Sequence, residues 1–312
     1  MTTNQTNPIF QRATKTQSKL RLALVGVSGS GKTYSALAIA RGLGSRVALI
    51  DTERGSAAKY AGDFTFDTIN LDDAFGDFSP RSYVRAINAA VAEGYDVIVI
   101  DSLSHAWIGK GGALEMHDIA VDRQKTKNSY VAWRDVTPDH NALVDAMVQA
   151  RAHIIVTMRA KTEYVQETDE RGNKQVRKIG LAPIQRDGLE YEFDLVADMD
   201  AGKMTVTKSR CTTLTNAVIK HPNGQVSDAL RAWLTDGDPM REMTPAERWH
   251  RWASTVLVNA TTKDSVKAAF ERAVAELDLE SQKPVFDSLK SAVEWIKTQT
   301  APASTSDDGG EQ

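Results

Sequence analysis

One cysteine, Cys211, stands among 312 residues. A single thiol excludes a disulfide framework and a thiolate metal cluster. No apolar run approaches the roughly 20 residues that a membrane-spanning helix needs, and the polar start has no apolar signal core. The expectation is a soluble, cytoplasmic protein with no membrane partner. A large charge of either sign is also missing: 38 Lys and Arg face 41 Asp and Glu, a net −3, so bulk charge does not mark a nucleic-acid partner. Its distribution is uneven. Residues 1–21 hold Arg12, Lys15, Lys19 and Arg21 and no acid, whereas residues 241–312 hold 9 basic and 12 acidic side chains. No internal repeat is present.

What is there begins with Gly26-Val27-Ser28-Gly29-Ser30-Gly31-Lys32-Thr33, which reads G-x-x-x-x-G-K-T. An apolar run, 20–25, precedes it and a helix-prone run, 34–41, follows, which is the strand–loop–helix context of a phosphate-binding P-loop. Glycines let main-chain N–H groups turn inward around phosphate oxygens, and a helix N-terminus adds partial positive charge. Gly26, Ser28, Gly29, Ser30, Gly31, Lys32, Thr33 and Tyr34 therefore form the candidate ATP cradle. Lys32 would reach the β- and γ-phosphates, and the Thr33 hydroxyl would sit on Mg²⁺. A dinucleotide fingerprint does not fit, because Tyr34 takes the place of its third glycine.

Downstream, the strand 46–51 ends in Asp51-Thr52-Glu53, two carboxylates at the edge where open α/β sheets bind ligands. Glu53 could accept a proton from an attacking water while Asp51 supports the loop. Tyr60 could stack on adenine or sit half-buried in the core. A helix over 80–93 leads to the strand 95–101, four apolar residues and Asp101, the Walker B pattern, with Asp101 holding Mg²⁺ through water. Residues 102–137 read as a mobile basic surface loop with Lys110, Arg123, Lys125 and Lys127. Thr137 and Pro138 read as the start of a helix to Ala150. The strand 153–158 hands over Arg159 and Lys161.

The runs 161–166 and 174–179 flank turn residues 169–173 and predict a hairpin. Arg171, Lys174, Arg177, Lys178 and Tyr164 could grip a single strand, although Glu163, Glu167, Asp169 and Glu170 offset much of that charge. Strands over 191–198 and 204–207 share the turn 200–202, and alternation puts Lys208 and Arg210 on one face. A further strand, 216–220, and a helix, 228–234, close the core. The predicted domains are an arm over 1–18, an α/β core over 19–236, a small helical domain over 240–298 with Trp249, Trp252 and Trp295 inside it, and a disordered acidic tail over 299–312. The arm is either a leader or an anchor on a neighbouring subunit through Phe10 and Ala13.

The P-loop, Ile50-Asp51-Thr52-Glu53, the strand ending at Asp101-Ser102 and Lys208-Ser209-Arg210, in that order, resemble the RecA-type ATPase core. More closely, the chain resembles phage-encoded ATP-binding proteins of the single-strand-annealing type. That likeness rests on Leu20-Arg21-Leu22-Ala23-Leu24, the run 29–37, Thr157-Met158-Arg159-Ala160-Lys161 and the run 180–194. It covers residues 10–235.

The resemblance implies an α/β, RecA-like P-loop fold, mostly parallel with an antiparallel extension. It also implies Mg²⁺-dependent ATP hydrolysis with Lys32, Glu53 and Asp101 catalytic and Tyr60 against adenine. Lys208 and Arg210 would reach a neighbour's γ-phosphate in a ring or filament. The loop 108–127 and hairpin 164–178 would hold single-stranded DNA through Lys125, Lys127, Arg171, Lys174, Arg177 and Lys178, with a single-strand-binding protein as a further candidate partner. The chain departs from RecA in having no glutamine on its fourth strand, where Thr157 or Arg159 would serve. It also has a helical C-terminal segment without a counterpart. Two other readings stand beside it: a nucleotide-gated switch or loading factor acting through a protein partner, and a small-molecule kinase, against which Glu53 and the strands beyond Pro183 count.

Overall fold

A computed structural model of the chain describes residues 12–168 and 174–241, with backbone alone for 162–168 and 174–181. The chain divides into two compact units, Met1–Met240 and Arg241–Gln312. The predicted helical domain and tail, with their tryptophans, lie outside the described residues, as does Arg171.

Among the described residues the strands are β1 (Arg21–Gly26), β2 (Val47–Asp51), β3 (Asp67–Asn70), β4 (Val97–Asp101), β5 (His153–Thr168), β6 (Lys174–Pro183), β7 (Leu195–Asp200), β8 (Lys203–Ser209) and β9 (Val218–Lys220). The helices are α1 (Lys32–Leu43), α2 (Leu71–Phe75), α3 (Pro80–Ala92), α4 (His105–Ile108), α5 (Ala113–Arg123), α6 (Ser129–Gln149) and α7 (Gly224–Thr235). The sheet runs β3-β2-β4-β5-β1-β7-β8-β9, with β6 paired to the outer half of β5. From β3 to β7 all pairings are parallel, while β8, β9 and β6 are antiparallel. The fold is thus the expected α/β P-loop core, mostly parallel with an antiparallel extension.

The central strands are buried on both faces, so their sequences are continuous apolar runs rather than alternating ones. Leu22, Leu24, Leu49, Val99 and Ile155 face one way, against α1 and α7. Ala23, Ile50, Ile98, Ile100 and Val156 face the other way, where Tyr83 and Ile87 of α3 and Leu143 and Met147 of α6 cover them. Arg21 fastens α6 to this sheet. Its guanidinium donates to Leu20 O and Ala152 O, both at 2.9 Å, and to Val148 O at 2.8 Å and Ala150 O, the last two being carbonyls at the C-terminal end of α6.

Four expectations change. Residues 102–137 are not an open loop but carry α4, α5 and the first turns of α6. Helix α6 is capped by Asn128, whose side chain accepts from Tyr130 N (3.0 Å) and Val131 N (3.3 Å), and Pro138 lies inside it rather than at its start. A helix tolerates an interior proline at the cost of one backbone bond. Packing of Ala132, Val136 and His140 supplies the compensation. The described part of the arm, 12–18, runs beside the end of α7. Gln17 N donates to Asp238 O at 2.8 Å, Asp238 N to Lys15 O at 2.8 Å, and Lys15 pairs with Asp236 at 2.6 Å. Finally, 153–168 is one strand, not two.

Buried His153 accepts the Leu20 N–H at its Nδ1 (3.0 Å), which demands an unprotonated nitrogen there. Burial, with Lys19 and Arg21 nearby, lowers its pKa to about 4; burial, with Arg186, does the same to His140. Both are neutral when folded and charge near pH 6.5 when unfolded. Unfolding free energy should therefore fall as pH drops from about 6.5 towards 4, by up to about 1.4 kcal/mol per pH unit per histidine. Denaturant titration of the chain and of His140→Gln, which should flatten that slope, checks this.

Candidate nucleotide-binding and catalytic site

The P-loop connects β1 to α1. Gly31 caps α1 in the left-handed region at φ 92°, which a side chain would oppose. Gly26 is required for a different reason: a Cβ there would lie 2.5 Å from Met199 O and 2.6 Å from Ser30 Oγ. Ser30 Oγ is buried and has no hydrogen-bond partner. The turn between β7 and β8 lies against the loop, with Gly202 N donating to Ser30 O at 3.0 Å. Lys32 folds back on the loop and donates from Nζ to Val27 O at 2.8 Å. Burial lowers its pKa, and the charges of Asp101 and Glu53 partly offset that.

Strand β5 lies between β1 and β4, which decides how Asp101 is held. The Thr33 hydroxyl meets Asp101 Oδ2 at 2.6 Å from one side. The hydroxyl of buried Thr157, from β5, donates to Asp101 Oδ1 from the other. Asp101 itself is 3% exposed. Thr33 and Asp101 are hard oxygen donors beside the P-loop and fit Mg²⁺, which binds through one or two protein oxygens and keeps several waters. No cluster of three or more His, Cys, Asp or Glu suited to a metal exists among the described residues.

Asp51 and Asp101 are register partners on β2 and β4. Asp51 accepts the Glu53 N–H at 2.6 Å and so shapes the loop that presents Glu53; burial raises its own pKa. Glu53 Oε1 accepts from Ser102 Oγ (3.1 Å) and Arg159 Nε (2.9 Å), and Oε2 accepts from the other arm of the Arg159 fork. Burial alone would raise the Glu53 pKa. The hydrogen bonds and charge of Arg159, the charge of His105 and the Ser102 hydroxyl reverse that and hold it below the usual range. Beneath the pair, Thr52 Oγ1 accepts from Ser102 N (2.8 Å) and meets His105 Nδ1 (2.8 Å), while the Tyr83 hydroxyl donates to Ser102 O (2.9 Å). These contacts tie the ends of β2 and β4 into one platform.

Lys32, Thr33, Glu53, Asp101, Thr157 and Arg159 are thereby brought together. Tyr34, 46% exposed, meets Tyr60 edge-on at 5.8 Å and Phe64 at 5.0 Å, so Tyr60 is a half-buried member of an aromatic cluster beside the loop. Lys208 and Arg210 lie elsewhere. Ser209 pairs with Leu195 at the start of β7, the sheet edge opposite Gly26. There Lys208 Nζ donates to the carbonyls of Glu190, Tyr191 and Phe193 at 2.9, 2.8 and 2.8 Å, and Arg210 pairs with Asp194 at 3.1 Å. Neither reaches the P-loop of its own chain. Lys125 and Lys127 follow α5, with Lys127 paired to Asp122 at 2.6 Å; Lys174, Arg177 and Lys178 take backbone positions on β6.

Sequence reasoning missed the Thr52–Ser102–His105 stitch and the bracing of the P-loop by the turn at Gly202. Small polar residues just beyond apolar strands, at Thr52, Ser102 and Ser104, were the available signal. No helix among the described residues is long and apolar enough to cross a membrane. No curated protein matches the chain. The family model described as an AAA domain matches residues 18–222, well over half of the chain and the whole of this site. The chain therefore belongs to this AAA domain family.

Proposed function

We propose that the protein hydrolyses ATP and uses the cycle to handle single-stranded DNA during recombination or annealing. The observation that carries the ATPase part is Asp101, held between Thr33 and Thr157 with Glu53 within electrostatic reach of Lys32. The P-loop amides and Lys32, leaving Val27 O, take the phosphates. Magnesium, when bound, neutralises charge on the β- and γ-phosphate oxygens. Glu53 orients the attacking water and accepts its proton as the water oxygen bonds to the γ-phosphorus. The β–γ bridging bond breaks, and ADP takes the electron pair. Arg159 sets the timing, because a carboxylate engaged by both arms of a guanidinium is a poor base until that pair opens. Support for the DNA part is the resemblance of the runs 157–161 and 180–194 to single-strand-annealing ATPases.

Lys208 and Arg210 belong to this proposal as groups offered to the nucleotide of a neighbouring copy in a ring or filament. The closed Glu53–Arg159 pair favours a second reading, a nucleotide-gated switch acting through a protein partner such as a single-strand-binding protein, with slow hydrolysis. Turnover measured with and without oligo-dT separates the two, since stimulation belongs to the first.

Lys32→Ala should abolish ATP binding in a filter or calorimetric assay. Glu53→Gln should bind ATP and lose about 100-fold or more in turnover. Arg159→Ala removes what holds the Glu53 carboxyl down, so the acidic limb of the turnover profile should move to higher pH, read from phosphate release across pH. An Arg210→Ala chain mixed with a Lys32→Ala chain should regain turnover if the site is shared between copies; activity no greater than that of the separate variants counts against sharing.

A further inference from the structure

Between α4, the first half of α6, Lys161 of β5 and residues 185–187 lies an open groove of about 1060 Å³. Its wall is aromatic. Trp107, in α4, stacks on Trp133 of α6 with ring centres 5.5 Å apart and planes 10° from parallel. His117 of α5 stacks on Trp133 as well, at 4.4 Å. At the rim, Tyr130 is 88% exposed. An aromatic residue so open to water, beside two indoles that also line the groove, is an unusual arrangement for a surface with no ligand. The remaining wall is cationic. Arg134, Lys161 and Arg186 line it against the single carboxylate of Asp187, and the Arg186 guanidinium lies 6.0 Å from the Trp133 ring centre.

We propose that this groove binds single-stranded DNA, with bases stacked on Tyr130 and the tryptophan wall and phosphates drawn to Lys161, Arg134 and Arg186. The proposal rests on the DNA-handling reading above and moves the contact surface from the residues expected by sequence to this groove. Two features favour a nucleic-acid strand over a protein or a small metabolite. Flat rings combined with an excess of cations match the alternation of base and phosphate. The groove is also open and larger than most small-molecule pockets. Its far wall is continuous with the catalytic platform: Gln185 Nε2 donates to Leu103 O at 3.1 Å, and Ile184 N donates to Arg159 O at 2.7 Å.

The test is fluorescence anisotropy of a labelled oligo-dT of about 12 nucleotides, within the span of known single-strand sites. An abasic strand of equal length serves as the second probe. Each is titrated with the full chain at several salt concentrations. Tyr130→Ala and Trp107→Leu should each weaken oligo-dT binding at least five-fold and leave the abasic strand unaffected. Lys161→Ala and Arg186→Ala should weaken both strands and lower the salt slope by about one each. Tyr130 is exposed enough for its variant to keep the fold, so the test stands even if Trp107→Leu unfolds. Wild-type binding of oligo-dT that survives Tyr130→Ala together with Lys161→Ala and Arg186→Ala overturns the groove and leaves the DNA reading intact. In that outcome the ring stack only packs α5 against α6. Absence of wild-type binding at the lowest salt overturns both, while Lys32-dependent ATP binding persists.

Discussion

The carboxylate of Asp101 is the fixed point of this molecule. It is nearly water-free, and hydroxyls from two flanking elements hold its two oxygens. A buried carboxylate needs such donors, or its charge is not tolerated. Thr33 brings the start of α1 to it, and Thr157 brings the strand inserted between β1 and β4. The strand order is therefore a chemical requirement as well as a packing solution: without β5 in the middle, Oδ1 would lose the Thr157 hydroxyl.

A second constraint grows from the first. Glu53 lies one strand over and is held by Arg159, two residues beyond Thr157 on β5. The same strand thus grips both carboxylates of the site, one by a hydroxyl and the other by a guanidinium. Any shift of β5 along its axis changes the two grips together. Because β5 continues outward as the hairpin strand paired with β6, the platform and the hairpin share one backbone.

Much of this was legible in the chain because the P-loop, Asp101 and Glu53 stand at the ends of continuous apolar runs, and such runs make buried parallel strands. The turn at Ala201 and Gly202 was legible from Asp200-Ala201-Gly202 standing between two strand-like runs, and both residues take positive φ there, at 46° and 76°. Residues 102–137 were misread because their glycines and lysines resemble a loop. Their helices are specified by tertiary contacts between Trp107, Trp133 and His117, which no local periodicity announces. Pro138 misled in the same way, since a proline favours a helix start unless packing carries the helix past it. Arg159 could be placed at a strand end from sequence, but its partner could not, because Glu53 is 106 residues away.

The contact between Gly202 and Ser30 has a consequence for how little of the chain can be called the nucleotide-binding part. The glycine fingerprint ends at Thr33, yet its shape is buttressed by a reverse turn almost 170 positions later in the chain. A fragment trimmed to the parallel strands would keep every letter of the motif and lose the strut behind it. The antiparallel extension is in that sense part of the loop's support, and the smallest unit that keeps the loop braced in this way reaches at least to the turn before β8.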